Sequence, residues 1–181
     1  MSIKTLLTAD ELEQMPDDDS VQVELDEGEL ITMPPAGFDH GDYEGNIFAL
    51  LKHHVRKHRL GKVCTGDTGF RLRDDTVRAP DVSFIRRERV QAVRSQGFGR
   101  GTPDLAVEIF SPSDSVRQLM RKVKQYFAAG CHTVWIVYPE RREVNVLEAS
   151  GADRLLKGDD LLEAPELLPG FCVRVAELFE D

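Results

Sequence analysis

Residues 104–139, DLAVEIFSPSDSVRQLMRKVKQYFAAGCHTVWIVYP, decide the architecture. The first part alternates, with Leu105, Val107 and Ile109 on one face and Ala106, Glu108 and Phe110 on the other, and both faces are mostly apolar, as in a strand covered on both sides. Ser111-Pro112-Ser113-Asp114 supplies the side-chain oxygens that open a helix, and Val116, Leu119, Met120, Val123 and Phe127 then recur as an apolar stripe until Gly130 closes it. HTVWIVYP (132–139) is a nearly continuous apolar run of strand character. A buried strand, a helix and a second buried strand in that order predict a right-handed βαβ crossover inside a mixed sheet.

Downstream of this unit, EVNVLE (143–148) follows a turn at Glu140-Arg141-Arg142, and the chain ends with FCVRV (171–175) and a last turn, AELFE. Upstream, Thr8-Ala-Asp-Glu11 reads as a capping box opening a short helix. VQVEL (21–25) and ELITM (29–33) flank Asp26-Glu27-Gly28-Glu29, which predicts a hairpin stopped by Pro34-Pro35. From Asp39 to about Leu60 the positions Ile47, Phe48, Leu50, Leu51 and Val55 follow helical spacing, with Gly61 as the stop. KVCTG (62–66), GFRLR (69–73) and DVSFI (81–85) predict a meander of neighbouring strands, RRERVQAV (86–93) one or two helical turns, and GFGRG (97–101) a mobile loop. No repeat, low-complexity tract or linker interrupts residues 1–181, so the reading is one domain of the α/β class: a mixed β-sheet flanked by α-helices, preceded by a helix and a β-hairpin.

The 181 residues are 41% apolar and 30% charged, which excludes a disordered chain, and no apolar run approaches the roughly 18 residues of a membrane span. The start lacks the apolar h-region of a secretory signal, and Cys64, Cys131 and Cys172 are odd in number, far apart and without a C-x-x-C pair. A reduced, cytoplasmic setting is expected. The net charge of −9 hides a dipole, because residues 1–44 carry −12 and residues 56–100 carry +7. Overall acidity argues against indiscriminate nucleic-acid binding, but one basic face still suffices to hold phosphates. Arg71, Arg73, Arg78, Arg86, Arg87, Arg89, Arg94 and Arg100 read either as such a face or as ordinary solvated surface.

Glu108 is the residue that asks for chemistry. An ionised carboxylate inside an apolar strand is costly unless it meets a cation, so a lysine, an arginine or a metal is expected beside it. Asp81, at the entry of another strand, supplies a second carboxylate. Two carboxylates on adjacent strands with a lysine nearby are what a Mg²⁺ site for phosphodiester hydrolysis requires; a structural ion pair is the plain alternative. Lys122 and Lys124 both flank the apolar stripe. Measured down the strand and back along the helix, Lys122 matches the level of Glu108 better, at about 12 Å against about 15 Å for Lys124.

VELDEGELITMPPAG, His40-Gly41, RAPDVSFI, PDLAVEIFSPSD, Lys122 four before Tyr126, AGCHTVWIVYPERREVNVL and a late LPGF together resemble the bacterial Uma-type restriction endonuclease family, and the likeness spans nearly the whole chain. It implies the PD-(D/E)xK nuclease fold, a Mg or Mn divalent cation held by Asp81 and Glu108, and DNA as the substrate. It also implies a departure: Phe110 stands where the strand lysine of that motif belongs, and the helix residue Lys122 substitutes for it. Gln118 departs again, since many relatives carry an acid four before this lysine. Glu24 matches an early family glutamate that completes the metal shell or holds Lys122, with a solvated hairpin carboxylate as the alternative. His40 matches a family position, with a local capping role as the alternative. His54 and His58, four apart, read as a surface pair, and Trp135 as core.

The expectation is therefore a metal-dependent DNA endonuclease using Asp81, Glu108 and Lys122, with Glu24 and His40 as auxiliary residues. A non-catalytic nucleic-acid-binding or assembly module of the same fold, and a hydrolase of another phosphate-bearing substrate, are the competing readings. No membrane partner is expected. A homodimer is one open state of assembly.

Overall fold

The computed structural model describes residues 6–16, 21–111 and 115–180. Its helices are α1 (Ala9–Glu13), α2 (Phe38–His58), α3 (Val90–Val93) and α4 (Val116–Ala128). The strands are β1 (Gln22–Asp26), β2 (Glu29–Met33), β3 (Gly61–Thr65), β4 (Phe70–Arg73), β5 (Thr76–Arg78), β6 (Val82–Arg86), β7 (Gly99–Arg100), β8 (Leu105–Ile109), β9 (Thr133–Tyr138), β10 (Glu143–Glu148), β11 (Asp153–Lys157), β12 (Leu161–Glu163) and β13 (Cys172–Arg174). They form a six-stranded sheet ordered β11-β10-β9-β8-β6-β3, a five-stranded sheet ordered β2-β1-β5-β4-β7 and a small β12-β13 ribbon.

The deciding segment folds as its pattern implies. β8 and β9 pair in parallel from Leu105↔Thr133 to Ile109↔Val137, with α4 between them, while β6 pairs antiparallel on the other side of β8. Leu105, Val107 and Ile109 meet Ile47, Leu51 and Val55 of α2 in the larger core, and Ala106 meets α4 on the opposite face. Pro112–Asp114, part of the expected helix start, lie outside the described residues; the cap within them is Ser115, whose Oγ accepts from the Gln118 N–H at 3.4 Å. Gly130, at φ 97, follows the C-cap as expected.

One detail of α4 differs from the expected stripe. Its buried residues are Leu119, Val123 and Tyr126, whereas Val116 and Met120 are exposed. At 100° per residue this turns the buried face by roughly 40° toward Tyr126 and Lys122, and leaves Lys124 on the solvent side. The rotation exists because the tyrosine brings its hydroxyl to Glu108, a polar contact that an apolar count does not register.

The N-terminal elements also form as read. Thr8 and Glu11 make a full capping box, and β1 and β2 form a hairpin. Glu27 (φ 51) and Gly28 (φ 86) are both left-handed at its turn, the geometry a two-residue hairpin needs. The helix over 39–60 is present, but it ends one residue earlier than Gly61 implies: Arg59 caps it at φ 54, and Gly61 already belongs to β3. Glycine is needed there for a different reason, since a Cβ would lie 1.9 Å from the Ile85 carbonyl oxygen across the β3–β6 pair.

Two expectations over 62–101 are corrected. The strands do not form a meander: β3 pairs with β6 in the six-stranded sheet, while β4 pairs with β5 in the other. Arg78 and Val77, buried on β5 beside β1, draw that hairpin away from its sequence neighbours. Nor is GFGRG a loose loop. Gly99 and Arg100 pair in parallel with β4, and the Phe98 N–H donates to Glu13 at 2.7 Å. All three cysteines are unpaired, and Trp135 is core, stacked 6.0 Å from Phe171.

Candidate active site

The strand register carries the first acid to the second. Val82 lies opposite Val107, so the antiparallel pairing continues to place Asp81 across from Glu108. Asp81 is anchored at this point, because its Oδ2 accepts the Ile109 N–H at 2.6 Å, the amide next after Glu108. Its other oxygen, Oδ1, faces His40 of α2 at 3.2 Å, and its charge is close enough to raise the pKa of Glu108.

Glu108 is 6% exposed and meets the cation its burial demanded. Lys122 Nζ lies 2.7 Å from Glu108 Oε2, and the Tyr126 hydroxyl donates to Glu108 Oε1 at 2.6 Å. Lys122 and Tyr126 are four apart on α4, so both reach the same strand residue from one helix face. Lys124 is exposed, which resolves the pair left open by periodicity. Burial pushes the Glu108 carboxyl up to about 7; Lys122 opposes the rise, and the neighbouring charges of Asp81 and Glu24 add to it. Burial works against the charge on Lys122, but Glu108, Glu24 and Asp81 together outweigh it and hold its pKa above the ordinary lysine value. Burial also lifts the Tyr126 phenol well above its usual range, so it stays a neutral donor.

Glu24 is no solvated hairpin residue. It is 2% exposed, and its Oε1 takes Lys122 Nζ at 3.1 Å and the Ala79 N–H at 3.0 Å. Its Oε2 takes Arg78 at 2.8 Å. Arg78, placed by sequence among residues of a basic or solvated surface, is instead 2% exposed, and it continues to Asp26 at 2.7 Å and Gln125 at 2.7 Å. The five-stranded sheet thus delivers a buried carboxylate and a buried guanidinium to the lysine of α4. Other arginines of that stretch are also spent internally: Arg71 on Asp10 and Asp74, and Arg89 on Asp104 at 2.9 Å.

From the other side, α2 contributes His40 and Glu44, four apart at its start. His40 Nε2 lies 3.2 Å from Asp81 Oδ1, and Glu44 Oε1 accepts the Gly66 N–H at 3.1 Å. Burial raises the Glu44 pKa against the pull of that amide, and Asp81 raises it further. Ligand atoms of His40, Glu44 and Asp81 all lie within 4.8 Å of one another, the arrangement among the described residues that suits a cation. The two carboxylates suit Mg²⁺ or Mn²⁺, whereas the imidazole is a borderline donor that favours a transition metal, so the mixed set fits Mn²⁺ better than Mg²⁺. Sequence reading singles out His40 and misses Glu44, although an acid one helical turn after a histidine is the available signal. The His54 and His58 rings lie 4.5 Å apart and tilted by 35°, with no third ligand nearby among the described residues.

No helix among the described residues is long and apolar enough to cross a membrane. No curated protein matches the chain. Its fold is similar to that of a "putative nuclease belonging to DUF820" from Anabaena variabilis, known from a crystal structure: the TM-score is 0.81 at 20% sequence identity, with 96% of this chain and 97% of the other covered. A family model described as "putative restriction endonuclease" matches residues 9–176, nearly the whole span of elements from α1 to the C-terminal turn, and the chain belongs to that family, Uma2.

Proposed function

We propose that the chain is a divalent-cation-dependent nuclease that hydrolyses phosphodiester bonds of DNA. The observation that carries the reading is Lys122 bridging Glu108 and Glu24 at 2.7 and 3.1 Å while Asp81, the residue before β6, accepts the Ile109 N–H next to Glu108. Arg78 answers Glu24 and Lys122 answers Glu108, whereas among the described residues Asp81 and Glu44 meet an imidazole and main-chain amides but no lysine or arginine. That surplus of negative charge suits a cation.

Asp81 and Glu108 would hold Mg²⁺ or Mn²⁺, with His40 and Glu44 reaching Asp81 from α2. A cation bound there supplies Lewis acidity to a phosphate and a water of lowered pKa. Lys122 keeps its proton and presents fixed positive charge where negative charge grows on the phosphoryl oxygens. Glu24 and Arg78 fix the ammonium, and Tyr126 fixes the carboxylate that the ammonium faces. Purified protein with Mg²⁺ or Mn²⁺ is expected to nick supercoiled plasmid, and EDTA to stop it. Failure to cut plasmid, single-stranded DNA or RNA while metal is bound would defeat the reading.

The ionisation of Glu108 gives a second test. A ligand whose pKa in the folded protein is about 7 must lose its proton to take the metal, so proton and metal compete below that value and cease to compete above it. Calorimetric Mn²⁺ affinity should rise by up to about tenfold per pH unit as pH climbs toward 7, then level off. A flat profile across that range, from about two pH units below to one above, counts against a carboxylate site containing Glu108.

A further inference from the structure

The far end of α2 has the opposite character to its start. Lys52, Arg56 and Arg59 from α2 and its cap, Lys62 from β3 and Arg87 just after β6 line a cleft of about 640 Å³ that no carboxylate of the described residues lines. In a chain of net charge −9, five cations gathered without an acid are a strong local field. Lys52 spends part of its donor capacity on the Val63 carbonyl at 3.0 Å, which fixes its ammonium at the wall. Arg59 occupies a left-handed cap at φ 54, where glycine would be more stable by about 1 kcal/mol, so a charged side chain is kept at a backbone position that disfavours it.

The surface between the two ends is cleared. At 100° per residue, Gly41, Gly45, Ala49, Lys52, Arg56 and Arg59 fall in one sector of about 80°, with Asp42 at its edge. Gly41, Gly45 and Ala49 are exposed, and a Cβ at either glycine would meet nothing within 4 Å, so core packing does not call for them. Each exposed helical glycine costs about 1 kcal/mol against alanine. What they leave is a low ridge running from the acidic site to the basic cleft. Gly41 to Arg59 spans about 27 Å, the rise of roughly 8 base pairs of one strand.

We propose that this outer face of α2 carries the phosphodiester backbone of duplex DNA, passing over Gly41, Gly45 and Ala49 and anchored in the cleft of Lys52, Arg56, Arg59, Lys62 and Arg87. The assignment of the polyanion as a duplex rests on the nuclease reading; the charge and shape of the face do not. Arg87 and Arg59 supply forks for phosphate oxygens, and the lysines supply point charges, so recognition is independent of base sequence.

The test measures binding without cleavage. A fluorescein-labelled duplex of about 20 base pairs, long enough to cover the ridge, is titrated in EDTA and followed by anisotropy at several salt concentrations. The combined substitution Arg56→Ala, Arg59→Ala, Lys62→Ala and Arg87→Ala, all at exposed positions, should weaken binding at least about tenfold and reduce the slope of log affinity against log salt by about 0.9 for each phosphate no longer neutralised. Gly45→Gln with Ala49→Gln should weaken binding several-fold with the salt slope unchanged; Gly45→Gln also raises helix propensity, so unfolding does not account for the loss. Unchanged affinity and slope in the four-alanine protein would overturn the proposal. So would binding to phosphatidylserine vesicles with none to the duplex. If plasmid is cut equally well with and without the four basic side chains, the nuclease reading stands and this proposal falls. If plasmid is never cut, yet removing those side chains abolishes duplex binding, this proposal stands and the nuclease reading falls.

Discussion

Asp81→Asn and Glu108→Gln are each expected to lower metal-dependent DNA cleavage by about 10³-fold or more, because a missing carboxylate ligand removes several kcal/mol of charge stabilisation at the reacting phosphate. The amide substitutions isolate charge from shape. The side-chain amide introduced by Asp81→Asn retains an oxygen for the Ile109 N–H, and the one introduced by Glu108→Gln retains an oxygen for the Tyr126 hydroxyl, so melting temperatures should change little. Lys122→Ala should separate two effects that the carboxylate variants combine. Its turnover should fall by about 10²-fold or more, as for loss of a fixed transition-state donor, while Mn²⁺ affinity holds or tightens because a neighbouring cation is gone. Cleavage that survives both carboxylate substitutions would sink the mechanism. Equal loss of metal affinity in all three variants would demote Lys122 to a structural counter-ion.

Arg78→Met should cost about 3–5 kcal/mol of stability and lower the melting temperature by about 10 °C. The guanidinium is 2% exposed and faces Glu24, Asp26 and Gln125, so its removal leaves Glu24 to share Lys122 with Glu108 and Asp26 with Arg121 at the surface, two acids short of one buried positive charge. Adding Glu24→Gln to Arg78→Met should recover part of the loss, since the penalty lies in the unpaired charge and not in the missing bonds. A single variant within about 1 kcal/mol of the parent would show that water or Lys122 takes over the counter-charge, and the buried network would then contribute little to folding.

The backbone of the fold is legible in the sequence because its central unit buries both faces of two strands around one amphipathic helix, a pattern with few solutions. The hairpin and the capping box are legible because each is local. What escapes the sequence is what depends on distance. Nothing between residues 62 and 85 announces that β4 leaves β3 for another sheet; that follows from Val77 and Arg78 finding β1. Arg78 groups with surface arginines on sequence alone because its partners Glu24 and Asp26 lie far upstream in the chain. Lys122 stands apart from Lys124 once Tyr126 is counted among the buried positions in place of Val116 and Met120, since that turns the helix face onto Lys122. Glu44 is hidden by its acidic surroundings, where thirteen acids precede residue 45 and only position, one turn after His40, distinguishes it.

Three carboxylates of the site each hold a main-chain amide: Gly66 on Glu44, Ala79 on Glu24 and Ile109 on Asp81, at 3.1, 3.0 and 2.6 Å. Those amides belong to three separate stretches of chain. In a ¹H–¹⁵N NMR spectrum the protein therefore carries its own reporters, one for each acid, whose resonances move as the attached carboxylate gains a proton or a cation. The order in which Gly66, Ala79 and Ile109 shift during a Mg²⁺ titration would separate the acids that receive the ion from the one that steadies the lysine, with no residue substituted.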